Sequence, residues 1–162
     1  MSEGSTIGVK KSDGTIHSIY CSHNSGIDNA GKILLSNYNS EYFVEKLINL
    51  GDVLNMENLF KNIKRNYDNS RTNGIKREPW DEVKPHIHQN LNEYMEWSEY
   101  YNAEYIYLFD DQQWMVSEFN NLNFEDQQMK FTRFIPVKTA IELLDAKKEI
   151  IDKINRDIER DF

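Results

Sequence analysis

The sequence predicts an α+β domain: an antiparallel sheet built from two hairpins, covered by helices, with a long C-terminal helix. Three observations predict it. β-rich runs flank Ser12-Asp13-Gly14, a similar pair flanks Asp110-Asp111-Gln112-Gln113, and apolar residues recur every three or four positions from Ile141 to Ile158.

The first hairpin pairs STIGVKK (5–11) with TIHSIYC (15–21). Asp-Gly between alternating segments is a strong short-range hairpin signal, because glycine accepts the left-handed backbone of a tight turn. Ile7 and Val9 share one face, and Ile16, Ser18 and Tyr20 point opposite to His17, Ile19 and Cys21. NAGKILLSNY (29–38) reads as a short helix. Ser40 caps a second one, EYFVEKLINL, with Phe43, Leu47 and Leu50 on one stripe and Gly51 as its stop. Met56 to Ile63 is expected to add a helical turn or two.

The polar, proline-broken stretch NYDNSRTNGIKREPW reads as a long loop. Pro85 is placed to open a helix running to Tyr101. AEYIYLFDDQQWMVSEF supplies the second hairpin, and MKFTRFI (129–135) a further strand ended by Pro136. The final helix carries Ile141, Leu144, Ile151, Ile154 and Ile158 at three-to-four spacing, interrupted by Lys148. Residues 1–136 are thus expected to form the core domain, and 137–162 a helix packed on the core or used for self-association.

Composition narrows the function classes. Net charge is −8 in 162 residues, which argues against non-specific duplex DNA binding, a task that wants a basic face. It permits an acidic surface to occupy a groove on a basic protein. The single cysteine, Cys21, forms no internal disulfide and suits a reducing compartment. No apolar run is long enough for a membrane span, and Met1 to Ser18 shows no basic start followed by an apolar core, so a cytoplasmic location is expected.

SHNSGIDNAGKIL (22–34) places Gly26, Gly31 and Lys32 like the phosphate-binding loop G-x-x-x-x-G-K-[ST]. Ile33 stands where that loop needs a hydroxyl for magnesium, and the flanking strand signals are antiparallel. A turn before a helix is the expected reading. His17, Cys21 and His23 on one side, and His86 with His88 on the other, fall short of zinc-ligand spacing, so no metal or cofactor is expected. On a strand, His86 and His88 would face the same way; in a helix they would splay. A cysteine nucleophile would need His17 or His23 brought to Cys21. Glu104, Asp110, Asp111 and Glu118 are expected to be solvated hairpin carboxylates, and no catalytic residue is assigned. Against the acidic background, Arg65, Arg71, Lys76 and Arg77 gather near Tyr67 and Trp80, a basic and aromatic mixture suited to phosphates, nucleotides or an acidic partner.

DGTIHSIYC, GKILLSNY, VEKLINLGDV and EYIYLFDDQQWMV together resemble a group of small proteins carried by bacteriophages and prophages. Its members open with a hairpin DG-x-I-x-x-IYCHWDGYP, continue through VGK-x-LL-x-HY, and later show EY-x-YLF with a tryptophan shortly after. Tyr20, Cys21, Gly31, Lys32, Leu34, Leu35, Tyr38, Tyr105, Leu108, Phe109 and Trp114 are among the matching positions. Where the group has HWDGYP, this chain has Ser22-His23-Asn24-Ser25-Gly26-Ile27, so a function carried by that loop would be altered here. The resemblance implies a phage setting in the host bacterial cytoplasm, where small acidic proteins act by binding. The leading expectation is a non-catalytic inhibitor that blocks a bacterial defence protein, such as a CRISPR effector or restriction enzyme. The alternative is a binder that sequesters a signalling nucleotide. Partner- or ligand-binding residues are then expected among His23, Asn24, Tyr67, Arg71, Lys76, Arg77 and Trp80, with a second copy of the chain as a further partner through the C-terminal helix.

Overall fold

The computed structural model describes residues 4–65, 84–119 and 131–160. The described residues form an α+β fold around a mixed, mostly antiparallel sheet of six strands in the order β3-β2-β1-β4-β5-β6, whose edges are β3 (His86–His88) and the two-residue β6 (Ile135–Pro136). The first hairpin is β1 (Ser5–Lys10) against β2 (Ile16–Cys21), and the second is β4 (Tyr105–Asp110) against β5 (Gln113–Glu118). Both turns form as the sequence predicts. Gly14 takes φ +88° in the first, where Asp13 Oδ1 accepts from the Thr15 backbone N–H at 2.9 Å. In the second, Asp111 and Gln112 both adopt positive φ, 51° and 63°, the backbone of a tight hairpin turn made without glycine.

The two hairpins join through a parallel pairing of β1 with β4, Ser5 opposite Tyr105 and Val9 opposite Phe109. Ile7, Val9, Ile19, Cys21, Tyr107, Phe109, Trp114 and Val116 line one face. Covering them are α1 (Lys32–Asn37), α2 (Glu41–Ile48) and the start of α4 (Val137–Arg160), through Leu34, Val44, Leu47, Ile48, Val137 and Ala140. Ile16, Ile106 and Leu108 face the other way, under Tyr94 of α3 (Leu91–Tyr100). Helices therefore lie on both faces of the sheet. This suits the central strands β1 and β4, which are buried along most of their length on both faces.

Three departures from the sequence reading have local causes. The helix expected from Pro85 starts only after Asn90, whose side chain accepts from the Glu93 N–H at 2.9 Å; before it, β3 (His86–His88) pairs with β2. Phe43 does not join the buried stripe of α2, because Val44, Leu47 and Ile48 turn to the sheet instead. Between Gly26 and α1 the chain forms one π-helical turn, Ile27–Gly31, and the Met56–Ile63 segment contributes a 3₁₀ turn at Phe60–Asn62.

Buried hydrogen bonds hold the layers in place. Tyr94 OH donates to the Tyr107 carbonyl at 2.7 Å, Tyr107 OH to the Ser25 carbonyl at 2.7 Å, and Trp114 Nε1 to the Tyr38 carbonyl at 2.7 Å. Burial drives the phenol pKa values of Tyr94 and Tyr107 far upward, so both stay neutral donors. Tyr94 reaches the sheet because Gly8 lies beneath it: a Cβ there would sit 2.9 Å from Tyr94 Cζ and 3.1 Å from Ile16 Cγ2. Gly8→Ala should therefore lower stability by about 1–3 kcal/mol, read as a shift in the urea midpoint. An unchanged midpoint would show that α3 is not seated on bare backbone.

Candidate functional site

The loop after β2 carries the first predicted site residues. His23 and Asn24 are both exposed there, and Asn24 has φ 55°. The His23 N–H donates to the Leu54 carbonyl at 2.8 Å, and the Asn24 carbonyl accepts from Asn29 Nδ2 at 2.6 Å, so the loop is pinned on both sides. Tyr67, Arg71, Lys76, Arg77 and Trp80 lie outside the described residues.

The glycine pattern is not built as a phosphate cradle. Gly26 has extended backbone (φ −60°, ψ 160°), β2 runs antiparallel to both of its neighbours, and Lys32 is a solvated residue at the start of α1. Gly31 marks where α4 passes close, 3.4 Å from Val137 Cγ1 to a Cβ built at that position.

Cys21 is sealed. Its side chain belongs to the main core, its thiol lies 3.5 Å from the His23 carbonyl, and burial pushes its pKa up. A thiol that resists ionisation is a poor nucleophile. Ellman's reagent should therefore leave Cys21 unmodified in the native protein and titrate one thiol after unfolding; rapid native reaction would reopen the cysteine chemistry.

A second histidine cluster forms on the opposite face, and here the strand geometry of His86-Ile87-His88 matters. Both histidines point beneath α3, and Ile87 faces the other way and is exposed. His88 Nε2 and Ser18 Oγ share a hydrogen bond of 2.7 Å. His86 Nε2 lies 3.1 Å from Asp52 Oδ1, an oxygen that also accepts from the Tyr20 N–H at 2.9 Å. Trp97 covers both rings, its centroid 4.5 Å from His86 and 5.0 Å from His88, and Tyr101 packs on Trp97 at 4.7 Å. The Ser–His contact has the distance of a hydrolase dyad, yet Ser18 and His88 are both buried under Tyr94 and Trp97, where no substrate carbonyl can reach the hydroxyl. The pair is a core polar contact. Among the described residues no group of three or more His, Cys, Asp or Glu side chains converges as a metal site.

One exposed aromatic surface among the described residues is announced by no motif. On the outer side of α2, Tyr42 and Phe43 are 67% and 48% exposed, edge to face with ring centroids 5.2 Å apart. Lys46, one turn on, has its ammonium 5.9 Å from the Tyr42 ring and 5.0 Å from Phe60 on the 3₁₀ turn, with exposed Leu59 beside it. One lysine thus joins two elements into a single apolar and cationic patch. Beyond the turn of the first hairpin, Lys11 pairs with Glu45 and fixes α2 to the sheet. Among the described residues, no helix is long and apolar enough to cross a membrane.

No family model, curated protein or solved structure matches this chain.

The buried histidine makes stability depend on acid. Burial, reinforced by the charge of His86, lowers the pKa of His88 to about 4 from an ordinary 6.5. The unfolded chain therefore takes the proton first. Stability is full above pH 6.5 and declines as pH falls towards 4, by up to about 3 kcal/mol. Urea unfolding at pH 7.5, 5.5 and 4.5 should show that decline, and His88→Gln should flatten it. Equal slopes for both proteins would assign the acid sensitivity elsewhere.

Proposed function

We propose that this protein acts by binding: a phage-encoded, non-catalytic inhibitor that occludes a bacterial defence protein, such as a CRISPR effector or restriction enzyme, in the host cytoplasm. The observation that carries the binding reading is the patch of Tyr42, Phe43 and Leu59 held together by Lys46. Large aromatic side chains left in water on a rigid helix are the residue types that dominate binding energy at protein interfaces. α2 is anchored below by Val44, Leu47 and Ile48, so the rings need little ordering on contact. The defence target rests on the resemblance to phage and prophage proteins in the hairpin, GKILLSNY and EYIYLF segments. The acidic balance, −8 overall, supports an approach to a nucleic-acid-binding protein whose groove is basic. The sealed thiol of Cys21 also removes the nucleophile that an enzyme reading would have used.

The experiment is affinity capture from a lysate of the bacterial host, with the retained proteins identified by mass spectrometry. The wild type should retain a defence protein and inhibit its activity in a purified assay. Tyr42→Ala combined with Phe43→Ala should weaken that binding tenfold or more, with an unchanged melting temperature because both rings are exposed. Undiminished capture by the double variant would remove the patch from the interface. Turnover of a substrate by the pure protein, or strong stabilisation by a nucleotide, would overturn the inhibitor reading itself.

A further inference from the structure

The first two turns of α4 bury Val137 and Ala140 and half-bury Ile141 and Leu144 against the core. Farther along, an ion pair ties it to the described part of the body, Lys148 to Asp28 at 3.9 Å. Beyond it the helix continues to Arg160 with every residue exposed. The apolar stripe does not stop there. Ile151, Ile154 and Ile158 are 47%, 52% and 51% exposed, and Ile150 beside them is more exposed still.

Leu144, Ile151 and Ile158 stand seven residues apart, with Lys147 and Ile154 each three positions after the first two. That is the a and d spacing of a coiled-coil seam, with one lysine in it. We propose that two copies of this chain associate through the overhang as an antiparallel helix pair.

Charge selects the occupant and the direction. Residues 145–160 carry five basic and five acidic side chains, so the overhang has no net attraction for a phosphate backbone or an anionic membrane. In a parallel pair, equivalent positions lie level, and Lys147 of one chain would meet Lys147 of the other inside the seam. Glu159 and Asp157 would also approach across the flanks, a second like-charge contact. Reversing one helix sets Ile151 level with the partner's Ile154 at both ends of a two-fold axis. On one flank Lys147 then meets the partner's Asp157, and on the other Lys148 meets the partner's Glu159, each pair occurring twice. Every like-charge contact of the parallel arrangement becomes an attraction. The overlap spans about 24 Å at 1.5 Å per residue, shorter than a standard interface provides, so the dimer forms at concentrations on the order of micromolar.

Analytical ultracentrifugation of the full chain, from low micromolar to several hundred micromolar, tests this. The wild type should pass from monomer to dimer across that range. Ile151→Asp with Ile154→Asp should stay monomeric throughout, with unchanged far-UV circular dichroism and melting temperature because both residues are exposed. Lys147→Glu should weaken the dimer at least tenfold, and adding Asp157→Lys to it should restore association. A wild type that stays monomeric, or a dimer indifferent to the two aspartates, would overturn the proposal. A dimer weakened by the aspartates but not rescued by the charge swap would overturn the antiparallel arrangement. None of these readouts involves the α2 patch, so they stand or fall apart from the inhibitor reading.

Discussion

The parallel pairing of β1 with β4 is the constraint on which the rest of the molecule depends. Each hairpin alone is a two-stranded ribbon with little to bury, and such ribbons are marginal in water. Joining them edge to edge makes the four central strands, to which β3 and β6 add the edges, and gives the sheet two apolar faces. Every helix then has a place. α1, α2 and the start of α4 cover the larger face, and α3 closes the smaller one through Tyr94 seated over Gly8, with Met95 and Trp97 beside it. The seam is also where the tyrosine hydrogen bonds converge, since Tyr94 donates to the carbonyl of Tyr107 and Tyr107 donates onward to the loop after β2.

Much of the fold was legible because its signals are local. Asp13-Gly14 announces a turn whatever lies around it, and the three-to-four spacing from Ile141 to Ile158 defines a helix without reference to any partner. The β1–β4 pairing carries no such signal, since strands about a hundred residues apart are brought together by burial on both faces. β3 was missed for a related reason. Three residues are too few to show alternation, and Pro85 followed by helical spacing from Ile87 suggested that α3 began early. The His-x-His spacing held the correcting information, because only a strand turns both rings beneath one helix.

The candidate surfaces divide along similar lines. The stripe on α4 was visible as periodicity, but periodicity alone cannot distinguish a helix packed along its whole length from one that outruns its core. The spacing puts Phe43 on the buried side of α2, and the structure exchanges it for Val44, leaving Tyr42 and Phe43 together outside. That exchange is a rotation of about one residue around the helix. It is settled by how α2 meets the sheet, which no single-helix pattern contains. Lys46 could not be connected to Phe60 from sequence, since they meet only after the chain has returned from the sheet edge.

The stacking of Trp97 on two imidazoles gives this protein an optical property of its own. A protonated histidine ring quenches the emission of an indole it touches, whereas Trp114, sealed between Phe109 and the main core, meets no histidine ring among the described residues. Trp97 and Trp114 therefore answer to different events. Light from Trp97 follows the protonation of His88, whose ring it covers, and light from Trp114 follows the packing of the main core.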